Sequence, residues 1–203
     1  MKTSPRAMLL ALAAAPWCVC APRSAATLVV IVRNYAHAPR SEMVAAVGIA
    51  REALRSAGVE SQWAICAPES CEASAPLPES GLKIELFVMP TLQAPPPEGA
   101  SHPAGYAMMG GSASLRGYAF YDAAQSASAG ALRPISLVLG CILIHEAGHL
   151  LGLSHQAHGV MRANLDGVDM DNAVRGWAFN SKERRELRAA VGRAQAMRAI
   201  AHR

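Results

Sequence analysis

HEAGHLLGLSH, running from His145 to His155, has the pattern HExxHxxGxxH. Residues four apart on a helix lie one above the other, so His145 and His149 present their imidazoles to one point. Gly152 can take the left-handed conformation that ends a helix, and the chain then brings His155 round as a third ligand. Three histidines around one Zn²⁺ leave a coordination position open for water, which separates a catalytic site from a closed structural one. Glu146 is the expected general base, taking a proton from that water and later passing it to a leaving amine. Five matched positions arise by accident on the order of once in 10,000 to 100,000 chains of this composition, so a helix with stray histidines is the weaker reading.

The full pattern resembles the metzincin clan of zinc metalloproteases. That clan carries a methionine turn beyond the third histidine, and HGVMR supplies Met161 for it. No tyrosine lies two residues after Met161, which draws the resemblance towards matrixin-like and adamalysin-like members. It implies an α+β zincin fold: a twisted mixed sheet of about five strands, an active-site helix and a C-terminal helix. It also implies a zinc endopeptidase that acts on a peptide or protein substrate. A metzincin-shaped zinc protein that binds peptides without cutting them is the alternative, with the same ligands. In matrixin-like members an edge strand runs along the cleft above the metal, and Gly105-Tyr106-Ala107 occupies the corresponding place, followed by Gly117 to Asp122. Those members add histidines and carboxylates here for further ions. Only His102 and Asp122 are present, so a single zinc ion is expected.

Lys2 and Arg6 precede nine apolar residues, Ala7 to Ala15, and then Pro16. This reads as a signal peptide over residues 1–26, leaving residues 27–203 as one metallopeptidase domain that is secreted or periplasmic. The apolar run is too short for a membrane anchor. Of the 19 basic residues, three lie in the leader, so the remainder balances the 15 acidic ones and implies no nucleic acid. A monomer is expected. Seven Lys or Arg follow Asn180 and read as a solvated helix face. Cys66 and Cys71 are expected to pair, since an exported protein sits where disulfides persist. Cys141, one turn before His145, reads as a buried thiol rather than an inhibitory ligand.

TLVVIV from Thr27 suits a buried strand. A helix with Ser41 as N-cap and a stripe of Met43, Val47, Ala50 and Leu54 follows, closing near Gly58. Val59 to Cys66 completes a βαβ unit. Leu82 to Met89 alternates as a third strand, and Gly105 to Met109 and Gly117 to Tyr121 form two short ones. Pro90 to Pro103 reads as an exposed connection. Tyr118, Phe120 and Tyr121 are read as strand packing. The zinc helix is expected to start at Ser136 as N-cap and to be buried on all sides through SLVLGCILI. Asp166, Asp169 and Asp171 read as a polar loop, in which Asp166 or Asp171 could accept from a ligand histidine. His158 is read as exposed. A last helix begins at Ser181, with Leu187, Val191, Ala194, Met197 and Ile200 on one face.

Overall fold

A computed structural model describes residues 27–73, 81–92, 103–108 and 115–201. The proposed leader, the PPP run at residues 95–97 and His102 lie outside the described residues. The fold is α+β, with a six-stranded sheet in the order β3-β2-β1-β4-β6-β5. β1 (Thr27–Asn34) lies between β2 (Glu60–Ala67) and β4 (Leu82–Met89), parallel to both. β6 (Leu115–Phe120) is parallel to β4, and β5 (Gly105–Met108) closes that edge antiparallel to β6. The sixth strand, β3 (Ser70–Ala73), folds back on β2 at the far edge. It is a short hairpin arm clamped by the Cys66–Cys71 disulfide, and four residues are too few to show the alternation by which a strand is recognised.

β1 is apolar from Leu28 to Val32 because both its faces are covered there. Leu28, Val30 and Val32 face the main core, while Val29 and Ile31 form a smaller cluster with Cys66 on the opposite face. The described residues also form five helices: α1 (Arg40–Ser56), α2 (Tyr121–Ala131), α3 (Ile135–Leu150), α4 (Gly167–Val174) and α5 (Ser181–Ala201). α1 buries the expected stripe of Met43, Val47, Ala50 and Leu54, and the chain leaves it through Gly58 at φ 77°. It crosses α3 closely. A Cβ on Gly140 would stand 2.9 Å from the carbonyl oxygen of Ala46.

Two expected caps are displaced. Pro39 and Pro134, not Ser41 and Ser136, occupy the N-cap positions of α1 and α3, and neither helix start has a side-chain cap. Each proline already holds φ near the helical value, so the helix starts two residues before the serine could act. α5 is capped instead by Asn180, whose Oδ1 accepts from the backbone N–H groups of Lys182 and Glu183 while Glu183 returns a bond to the Asn180 N–H. Leu187 and Val191 are fully buried, and Arg188 donates to the Ala57 carbonyl, which fixes α5 against the end of α1.

On the sheet face opposite the main core, aromatic rings stack from strand to strand. Tyr35 meets Phe87 at 6.1 Å between centroids, Phe87 meets Tyr118 at 5.1 Å and Tyr118 meets Tyr106 at 4.6 Å. Cross-strand aromatic pairs of this kind stabilise a sheet, and here they pin the four-residue β5 to its neighbours.

Candidate metal centre

α3 is apolar on every side because it runs through the core: Leu137 to Gly148 are all buried, His145 and Glu146 among them. Burial fixes the ligands' backbone. The helix ends at Leu150, Gly152 takes φ 91°, and the next residues turn back towards the helix. His155 thereby returns to the first two histidines, and one ring nitrogen from each of the three lies within 4.8 Å of the others.

Tautomers follow from the hydrogen bonds. His145 Nδ1 is 2.7 Å from the Val160 carbonyl oxygen and His149 Nδ1 is 2.8 Å from that of Leu153. A carbonyl only accepts, so each Nδ1 carries the proton and each Nε2 holds a lone pair. Those lone pairs face one another. His149 Nε2 is 3.0 Å from His145 Nε2 and 3.1 Å from His155 Nε2. Burial pushes the His145 imidazole down to about 4 and also lowers His149, so both are neutral near pH 7. Converging neutral donors repel unless a cation sits among them, and an N₃ set of this kind fits Zn²⁺. Neither Asp166 nor Asp171 is the ring partner of His145 or His149. Asp171 instead pairs with Arg133, and Asp166 caps α4, while main-chain carbonyls orient the rings. No sequence signal marks a carbonyl acceptor, since every residue has one.

Residues 166–171 are correspondingly not a polar loop. Asp166 and Asp169 form a capping box that starts α4. Asp169 is 5% exposed, and its Oδ1 accepts the Gly159 N–H at 2.8 Å. This bond holds the turn whose next residue, Val160, orients His145. Asp169→Ala is expected to cost about 3 kcal/mol in urea unfolding and to weaken zinc binding about tenfold, because buried donors lose their acceptor and the His145 support loosens.

Met161 is fully buried. Its sulfur lies so close to Gly148 that a Cβ there would overlap it. Cys141 is buried one turn earlier, with its thiol pushed up to about 12 by burial and by the charge of Asp169. His158 is exposed and outside the histidine group.

Glu146 points towards the sheet edge and is 3% exposed. Its Oε2 has no hydrogen-bond partner among the described residues, and burial raises the carboxyl to about 8. Gly105 and Gly117, on adjacent strands, form the slot that receives it. A Cβ on Gly105 would stand 2.5 Å from Glu146 Oε1, and one on Gly117 would stand 3.2 Å from Glu146 Cβ. Two cavities flank the carboxyl. One, of about 520 Å³, lies between Gly105, Tyr106 and Ala107 of β5 and the histidines. The other, of about 460 Å³, is walled by Ala127, Val138, Ile142, Leu165 and Met170. α2, which supplies Ala127, was not foreseen: its sequence YDAAQSASAGA has no apolar stripe, and only Ala124 is fully buried.

No protein-family model matches the chain, and no curated protein matches it either. Among solved structures it is similar to the crystal structure of a zinc-dependent peptidase from Methanocorpusculum labreanum (strain Z). The two are 15% identical, with a TM-score of 0.48 over 78% of this chain and 99% of that one. A likeness of this degree bears on neither fold nor chemistry, which rest on the residues themselves.

Proposed function

We propose that this protein is an exported, monomeric endopeptidase of the metzincin type that holds one zinc ion on His145, His149 and His155 and uses Glu146 as its base. The observation that carries the reading is the convergence, in one cleft, of three imidazole nitrogens, a buried carboxyl and the outer edge of β5. No helix among the described residues is long and apolar enough to cross a membrane, and the disulfide suits an oxidising compartment.

Bound there, zinc would polarise the scissile carbonyl and make a water acidic. The protein's own part is positioning and proton transfer. β5 offers main-chain groups to an extended peptide, which holds many sequences in one register. The cavity beside Glu146, with its apolar wall of Ala127, Val138, Ile142, Leu165 and Met170 and with Arg162 and Asn164 also lining it, takes a side chain next to the scissile bond. The charge of a bound cation beside it would return the buried Glu146 to its carboxylate form, which would then accept one proton from the attacking water and deliver it to the nitrogen that leaves, so the carboxylate is regenerated when the peptide bond has broken. Neutral His145 and His149 keep their Nδ1 protons on carbonyl oxygens throughout.

The test is digestion of a mixed peptide library by the zinc-loaded protein, by the same protein after chelation, and after zinc is restored. Internal cuts should appear, vanish and return, with an apolar residue favoured at one side of the cut. Retention of one zinc per chain without any cleavage would favour the peptide-binding reading instead.

A further inference from the structure

At the opposite end of the sheet from the histidines, a groove of about 490 Å³ separates α1 from β2. Its helical wall carries Arg40, Val44, Val47, Gly48 and Arg51, which recur at the spacing of one helix face. Its strand wall carries Trp63, Ile65 and Ala67, alternate residues on one face of β2. The middle is apolar, and Arg51 stands at one end, about 16 Å along the helix axis from Arg40. No acidic residue among the described ones lines it. Val44 is 48% exposed at its mouth.

Gly48 bears on why the groove is open. It sits inside α1, where glycine costs about 1 kcal/mol relative to alanine. A Cβ at Gly48 would meet nothing within 4 Å, so packing does not require glycine there, in contrast to Gly140 on the facing helix. The missing side chain leaves the wall recessed.

We infer that this groove is a binding site for a single-chain anionic amphiphile, an aliphatic carboxylate whose chain lies against Trp63, Ile65 and Val47 and whose head group meets Arg51. A hydrocarbon chain fits better than a peptide. The main-chain groups of α1 are spent within the helix, and those of β2 along Ala64–Cys66 are bonded to β1 on one side and β3 on the other. A buried peptide would bring N–H and C=O groups that these walls cannot satisfy. The inference is independent of any hydrolysis at the histidines.

The experiment is calorimetric titration of the zinc-loaded full chain with dodecanoate and with dodecanol, below the concentration at which either aggregates, while Trp fluorescence is followed. Saturable binding of one dodecanoate per chain is expected, at least tenfold tighter than dodecanol. Arg51→Glu should weaken dodecanoate at least tenfold and leave dodecanol unchanged. Gly48→Leu should remove binding of both and keep or raise the unfolding temperature. Val44→Glu, at an exposed position, should also remove dodecanoate binding and serves if the Gly48 variant does not fold. The inference is overturned if the unaltered protein shows no saturable binding, if dodecanol binds as tightly as dodecanoate, or if neither Gly48→Leu nor Val44→Glu alters affinity.

Discussion

Glu146→Gln is expected to lower kcat on peptides by about 10³ or more while the protein still binds one zinc, since a positioned general base contributes about 10² to 10⁴. The same substitution should change how the metal-free protein responds to pH. Burial raises the Glu146 carboxyl to about 8, above its ordinary 4.5, so the folded state holds this proton more tightly than the unfolded chain does. The stability that the protonated form contributes is therefore full below about 4.5 and is lost as pH rises towards about 8. The shift sets a ceiling of about 5 kcal/mol on that loss, and a few kcal/mol is expected once the chain relaxes. Glutamine cannot ionise. Metal-free Glu146→Gln should match the unaltered protein in urea at pH 5 and exceed it by a few kcal/mol at pH 9. His145 works in the other direction: its folded value near 4 removes stability as pH falls through the range from about 6.5 to 4, but equally in both proteins. If the two proteins unfold alike at pH 9, Glu146 is not a buried acid. If the variant also loses its zinc, reduced turnover says nothing about proton transfer.

The parts legible in the chain are those whose physics is local or repetitive. Leu82 to Met89 alternates strictly and is β4 to the residue, and TLVVIV announces a strand covered on both faces. His145, His149 and Gly152 sit on one helix and its terminating turn, so their juxtaposition follows from helix geometry alone. The parts that were not legible depend on what arrives from elsewhere. α4 begins at a capping box whose Asp169 also reaches back to Gly159, and three aspartates within six residues look like a loop until that contact is known. α2 has too little apolar surface to betray itself. The ring partners of His145 and His149 are carbonyl oxygens, which no side chain advertises. Gly105 and Gly117 looked like ordinary strand or turn glycines because the residue that needs them, Glu146, lies some thirty or forty positions later.

Gly105→Ala should therefore cost more than its one methyl group suggests. The added Cβ would lie 2.5 Å from both Glu146 Oε1 and the Tyr118 carbonyl oxygen. The second of these is backbone, held within the β5–β6 ladder where Gly105 opposes Ala119 and Phe120 N–H donates to the Ala104 carbonyl. Tyr106 restrains the same strand through its stack on Tyr118. Relief must come either from β5 moving off the sheet or from Glu146 swinging out of its slot. Either change costs about 1 to 3 kcal/mol in urea unfolding. Both separate the carboxyl from the strand along which a peptide would lie, and an ångström of misplacement is enough to reduce turnover about 100-fold. Zinc stoichiometry should not change, because the ligands come from α3 and the chain just beyond it. Gly117→Ala is the comparison. Its Cβ would meet Leu86 Cδ2 at 2.9 Å, the end of a side chain rather than backbone, and Glu146 Cβ at 3.2 Å. Its effect on turnover should be clearly smaller. Stability tests the fit of strand against carboxyl whether or not the protein is a peptidase, and turnover tests what that fit is for. Equal stability of Gly105→Ala and the unaltered protein would show that β5 does not bear on Glu146. A stability loss with turnover intact would show that it does, and that the position of this carboxyl is not what limits the reaction.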